Sequence, residues 1–457
     1  MFKLIKFLII IFSFSANLYA NELEKQLQSL GSRSSSEASI IVQNLSTKRI
    51  VYSKNGNLKL KPASTLKLLV SSYLLDSLGA DFTYNTKLRY ESLQNGVLKN
   101  LVIDGSGDPD FKTEDLWIIL RNLKIKGVKV VENIYLNDTF FVEVTKRTGI
   151  KPYESGTSAL SFNFNSIRFE ICSTSPGSPA RVSVDPWEYN VILEGKINTS
   201  SNKKVTYYVD ELNYQKDITP QIYRLSGNIP ANYGCVDVYR NVPDSTIYLG
   251  EVFQNQLKYL GIKVTGKIYR GDYTQSSKVI MTHESKPLSY IITNLNKYSN
   301  NFIAEQLLFL AGKDNDRRYS RQKGLINLAN WLIKLGFKRD DFDLYDASGL
   351  SHNNRITAKV LAKIIDYKFS QDSGSYEFLS SLAVNQQTGT LIKRKNFSKG
   401  LVVRGKTGTI NGVSSIAGVI NSKKGSPYSF VILQNKANVS NARALEDKII
   451  NAIYNYD

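Results

Sequence analysis

Histidine is nearly missing from this 457-residue chain: His283 and His352 are the only two. That scarcity bears on hydrolytic chemistry first. His283 is followed by Glu284, but position 287 is Pro, so the His-Glu-x-x-His zinc helix is absent, and no Gly-x-Ser-x-Gly elbow occurs anywhere. A Ser-His-Asp triad and a zinc peptidase are both poorly served by such a sequence. Cysteine is equally sparse, with only Cys172 and Cys235. No cysteine lies near the N-terminus, which argues against a lipid-anchored start. Export into an oxidising compartment would permit a bridge between them, and two free buried thiols are the alternative reading. Acids are also short, 40 against 59 lysines and arginines, for a formal net charge of +19. Zinc-finger spacing, a basic heptad region and the aromatic-basic strand signature of RNA binders are all absent, so nucleic acid is not the expected partner. After the first residues no apolar run approaches the length of a membrane span.

Those first residues, MFKLIKFLIIIFSFSANLYA, carry Lys3 and Lys6, an apolar stretch from Phe7 to about Phe14, and small and polar residues ending at Ala20. This is the pattern of a secretory signal peptide cleaved near Ala20, and it predicts export to the periplasm. The basic balance then has two readings: attraction to the anionic polymers or surfaces of a cell envelope, or solubility alone.

A chain of this length exceeds one ordinary core. Residues 38–57 read as a hairpin, and 61–80 as a helix with Pro62 before its start and Gly79 at its end. Far downstream, 404–435 reads as three strands with turns near Asn411 and at Lys424–Pro427. A closing amphipathic helix, 441–455, puts Leu445, Ile449 and Ile453 on one face. The two ends therefore combine into one five-stranded antiparallel sheet flanked by helices, giving an α+β multidomain chain. The expected division is signal peptide 1–20, first part of the sheet domain 21–85, two inserted β-rich domains within 86–275, and the second part 276–457.

Within the first helical segment, PASTLKLL places Ser64 one turn before Lys67. A serine hydroxyl is almost un-ionised at neutral pH and needs a proton acceptor within hydrogen-bond reach. Lysine serves when burial lowers its pKa. On its own the pair is better read as a helix start, an N-capping serine with a solvent-exposed lysine. Two further elements change the reading: Ser299-Asn300-Asn301 ahead of a helix, and Lys406-Thr407-Gly408 on a strand, in the order Ser-x-x-Lys, Ser-x-Asn, Lys-Thr-Gly. That ordered set is the one penicillin-recognising enzymes use. In this reading Ser64 attacks a carbonyl and Lys67 takes its proton. Ser299 helps carry a proton to the departing amine, while Asn301 orients Lys67 and binds the substrate amide. Lys406 presents a cation, with the Thr407 and Thr409 hydroxyls, to a terminal carboxylate. Gly408 lets substrate backbone approach, and the amides of Ser64 and Thr409 form the oxyanion hole.

With these motifs the sequence resembles the class C penicillin-binding proteins of the D-alanyl-D-alanine carboxypeptidase/endopeptidase type. The segments GSGDPDF (105–111), SALSFNFN (158–165), SKPLSYIITNLNKYSNNFIAEQL (285–307), DASGLSHNNRITA (346–358) and QQTGTLIKR (386–394) carry the similarity across nearly the whole chain. The resemblance implies a transpeptidase-like domain with inserted domains, acting on peptidoglycan stem peptides through a serine acyl-enzyme without metal or cofactor. It also implies β-lactam antibiotics as covalent inhibitors. Position 300 is Asn where the family frequently has Asp, and Asp346, Ser348 and Arg394 are assigned no more than support of the cleft. A class A β-lactamase is disfavoured, since no Glu-x-x-x-Asn segment follows the Ser-x-Asn motif at the required spacing. The remaining alternative is a catalytically inactive, basic peptidoglycan-binding envelope protein, and the charge leaves open a peripheral contact with the envelope surface.

Overall fold

The computed structural model describes residues 22–214, 220–314, 318–371 and 374–456. The expected signal peptide lies outside the described residues. Two compact units divide the chain. The first holds the described residues up to Phe82, then Pro287–Gly312, and then the chain from Gln322 onward; the second holds Thr83–Lys286 and Lys313–Arg321.

The first unit is built on an antiparallel sheet from both ends of the chain. Its strand order is Ile50–Lys54, Glu37–Asn44, Pro427–Asn435, Val413–Asn421, Val403–Ile410 and Ala383–Val384. Five strands match the expected set, and the two-residue Ala383–Val384 strand adds a sixth at the edge, paired with Arg404 and Gly405. A two-residue strand has too little alternation to stand out in sequence. Alternation sorts the sheet's side chains. Ile40, Val42, Ile416, Phe430 and Ile432 pack with Leu23 and Leu27 of the 22–32 helix and with Leu445, Ile449 and Ile453 of the helix Val439–Tyr454. The opposite face carries the helix Ala358–Phe369, which lies against the strands Glu37–Asn44 and Pro427–Asn435.

The helix Lys67–Ser77 has Leu68, Leu69, Val70, Ser71, Ser72, Leu74 and Leu75 all buried. A helix apolar around its circumference belongs in an interior. Gly79, at φ +83°, follows its last turn in the left-handed conformation that suits glycine.

The second unit spans most of the segment expected to carry the inserted domains. Its buried side chains, from Leu88 and Ile134 through Phe169 and Tyr223 to Phe253, form one cluster. Five strands form its largest sheet, in the order Ile268–Arg270, Ile134–Asn137, Leu101–Asp104, Asn85–Tyr90 and Lys278–Glu284. Alongside the strands stand two helices, Thr113–Ile125 and Ser245–Tyr259, which a β-rich reading does not anticipate. Cys172 and Cys235 face each other in register on neighbouring antiparallel strands and form a disulfide, which resolves the alternative left by the sequence.

Candidate active site

All of the motif residues lie in the first unit. Ser64 sits in a 3-10 turn, Ala63–Leu66, that leads directly into the helix beginning at Lys67, and no side chain caps that turn. Ser64 is therefore not an N-cap, the role that an ordinary Ser-x-x-Lys helix start would give it. Its predecessor Ala63 is held at φ 47°, a left-handed value that costs an alanine energy and recurs at functional sites. Two glycines crowd this corner. A Cβ on Gly349 would collide with the Ala63 carbonyl, and one on Gly408 would lie 2.8 Å from the Ser64 nitrogen and 2.9 Å from the Pro62 carbonyl oxygen. Gly408 thus serves the protein's own backbone: it lets the strand Val403–Ile410 run directly beside the Ser64 amide.

Lys67 is 0% exposed. Its Nζ lies 2.8 Å from Ser64 Oγ, 2.7 Å from Asn301 Oδ1 and 2.5 Å from the Ser348 carbonyl oxygen. Burial pulls its pKa down to about 7, against the smaller upward pull of the Glu305 and Asp346 carboxylates. At neutral pH a substantial share of Lys67 is therefore the free amine, able to accept a proton from Ser64.

Ser299 and Asn301 come from a break between two helices. Leu288–Tyr298 ends with Ser299 at φ 60°, and Asn301–Ala311 starts two residues later. Asn300 caps the second helix, its Oδ1 accepting from the Ile303 amide at 3.1 Å. Asn and Asp cap equally well, which accounts for Asn at this position. The sharp reversal sends neighbouring side chains to different partners: Asn301 to Lys67, and Ser299 Oγ to Lys406 Nζ at 2.8 Å.

Lys406 is also fully buried and gives a second hydrogen bond to the Thr407 carbonyl oxygen at 2.7 Å. Burial, reinforced by Lys67, pushes its pKa well below the ordinary lysine value. Its head thus lies against Ser299 and the backbone of its own strand. Thr407 and Thr409 alternate to the other side of the strand, Thr407 Oγ1 donating to Thr390 Oγ1 at 2.7 Å.

Several contributors have no motif to mark them. Glu305 Oε1 accepts from the amides of Ala347 and Ser348 at 3.1 and 2.9 Å, and Asp346 accepts from the amides of Gly349 and Ser351 and from Asn354 Nδ2. These carboxylates lock the 346–351 loop so that the Ser348 carbonyl meets Lys67. Supporting roles for Asp346 and Ser348 accord with this. Arg394 instead pairs with Glu446 and Asp447, at 2.5 and 2.7 Å.

Among the described residues the only grouping with metal-like spacing is Glu170, Cys172 and Cys235, and the disulfide leaves neither thiol free to ligate. The candidate site itself is a set of hydroxyls, buried amines and an amide, suited to acyl transfer through Ser64.

Comparison with known proteins identifies a family. The model of the D-Ala-D-Ala carboxypeptidase 3 (S13) family matches residues 19–455. A D-alanyl-D-alanine carboxypeptidase of Actinomadura sp. (strain R39) is 27% identical over 90% of this chain and 80% of its own. The D-alanyl-D-alanine carboxypeptidase DacB of Haemophilus influenzae is 24% identical over 91% and 88%. In three dimensions the chain resembles the crystal structure of penicillin binding protein 4 from Haemophilus influenzae, with a TM-score of 0.78 at 24% identity, covering 94% of this chain and 98% of that one. A predatory endopeptidase from Bdellovibrio bacteriovorus shares the fold more distantly, with a TM-score of 0.53 at 16% identity, over 92% and 93% of the two chains.

Proposed function

The chain belongs to the D-Ala-D-Ala carboxypeptidase 3 (S13) family, and we propose that it is an exported serine D-alanyl-D-alanine carboxypeptidase and DD-endopeptidase of the periplasm. It trims the terminal D-alanine of peptidoglycan stem peptides, cuts D-alanyl cross-links, and is acylated by β-lactams. The observation that carries this reading is the Lys67 amine, buried and 2.8 Å from Ser64 Oγ, with Asn301 holding it from the other side.

Catalysis proceeds by acylation and hydrolysis. Ser64 Oγ forms a bond to the carbonyl carbon of the penultimate D-alanine while its proton passes to Lys67 Nζ. The resulting oxyanion is held by the amides of Ser64 and Thr409, and the close pass of the strand at Gly408 supports that pairing. As the peptide C–N bond breaks, the proton taken up by Lys67 passes by way of Ser299, itself hydrogen-bonded to Lys406, to the leaving amine, which returns Lys67 to its free-amine form. Water then attacks the ester carbonyl and gives a proton to Lys67, which returns it to Ser64 Oγ as the C–Oγ bond breaks and the shortened peptide leaves. A basic chain, an N-terminal leader pattern, and the lack of any helix long and apolar enough to cross a membrane among the described residues support an envelope location.

Intact-mass spectrometry with benzylpenicillin tests the assignment. Wild-type protein is expected to gain the mass of one penicillin, and Ser64→Ala to gain none while keeping its thermal midpoint within a few degrees. A folded wild type that stays unlabelled moves the weight to the alternative, an inactive basic peptidoglycan-binding protein.

A further inference from the structure

A terminal D-alanine carries a carboxylate, and its subsite needs a cation. Lys406 is badly placed to supply it, being buried with its ammonium engaged by Ser299 Oγ and the Thr407 carbonyl. The strand offers instead its outward hydroxyls. Thr407 and Thr409, two residues apart, share a face. Thr409 is exposed and its Oγ1 accepts a hydrogen bond from Arg443 Nη2 at 2.9 Å.

Arg443 stands near the start of the helix Val439–Tyr454 with its side chain open to solvent. The acids next along that helix are engaged by other partners. Glu446 is buried and takes Ser414 Oγ at 2.6 Å and Arg394 at 2.5 Å, and Asp447 takes the other arm of Arg394 at 2.7 Å. Among the described residues Arg443 forms no ion pair, and its guanidinium stands beside Thr409 at the outer end of the Lys-Thr-Gly-Thr strand.

We propose that Arg443 is a specificity-determining residue, the cation that receives the substrate's terminal α-carboxylate beside Thr409 and Thr407. The proposal rests on the carboxypeptidase reading above. A guanidinium is charged at every relevant pH and presents a planar fork that matches a carboxylate, whereas a buried lysine amine does neither. Lys406 is then free to work on the proton path through Ser299.

The test compares an N-acylated D-alanyl-D-alanine peptide as its free acid with the same peptide as its C-terminal amide. A second pair, benzylpenicillin and its methyl ester, is read as acylation rate. Wild type should prefer the free acids. Arg443→Ala should lower kcat/KM for the free acids by about tenfold or more while changing the amide and ester by less than about twofold, and Arg443→Lys should recover part of the preference. Equal losses on charged and neutral substrates would show that Arg443 merely pins Thr409, and no loss on either would remove it from the subsite; both overturn the proposal. A wild type inert toward both peptides and toward benzylpenicillin fails differently, because it removes the enzymatic reading on which the subsite rests.

Discussion

Lys67 concentrates the chemistry of this site in one titration. Burial favours the neutral amine, Glu305 and Asp346 favour the ammonium, and the balance falls at about 7. Only the neutral form accepts a proton from Ser64. Acylation by benzylpenicillin should therefore be slow below that value and rise as the pH passes through it. Replacing Glu305 by Gln removes one negative charge that holds the proton on Lys67, while an amide oxygen remains to accept from Ala347 and Ser348. The amine then loses its proton at lower pH, and the acidic limb of the rate profile should shift downward. Stopped-flow acylation rates from about pH 5 to 9, on wild type and Glu305→Gln, measure this. An upward or absent shift would mean that Lys67 is not the base. The five motif residues that meet here were legible because their residue types, order and spacing form a recognisable set. Glu305 was not: it lies on a mostly apolar helix outside the motif and acts through the amides of a distant loop. The Ser348 carbonyl that completes the Lys67 shell is main chain, for which no residue type is diagnostic.

At the scale of elements, the Val403–Ile410 strand and the Ala63–Leu66 turn are held together by the absence of a side chain. Adding a Cβ at Gly408 would put it 2.8 Å from the Ser64 nitrogen and 2.9 Å from the Pro62 oxygen, both backbone atoms with little room to give. Gly405, on the same strand, would meet nothing closer than the Ala417 carbonyl at 3.3 Å. Gly408→Ala should then part the strand from the nucleophile, costing about 1–3 kcal/mol of stability and at least about tenfold in acylation rate. Gly405→Ala should cost far less of both. Thermal melts and penicillin acylation on the two variants decide it, and a harmless Gly408→Ala would refute the close-approach account. The sheet, the catalytic helix and the closing helix were readable from alternation and period. The helices of the inserted unit were not read, although their signals are present: Asp244 accepts from the amides of Thr246 and Ile247, and Glu114 and Asp115 open the other helix. Surrounding β-like runs outweighed those local caps. The Lys313–Arg321 segment, which joins the inserted unit, owes its place to tertiary contacts that no short-range pattern encodes.

For the whole molecule, charge separates two ways of staying near a substrate that is itself a polymer. The formal charge is +19, and losing Lys3 and Lys6 with a leader would lower it by only two. A field of that sign draws the protein toward anionic wall material irrespective of whether Ser64 is competent, and it acts through the solvent, where salt screens it over a Debye length of about 8–10 Å at physiological ionic strength. Recognition of a single stem peptide in the cleft is different, since it depends on short, partly buried contacts that salt weakens little. Co-sedimentation with purified peptidoglycan should therefore separate the two. Wild type and Ser64→Ala should bind alike at low salt and be released together as sodium chloride rises to about 0.5 M, while penicillin acylation of the wild type changes by less than about threefold over the same range. Retention that ignores salt would assign wall binding to a specific surface, and acylation that falls in step with release would mean that the long-range field, rather than the local subsite, governs access to Ser64.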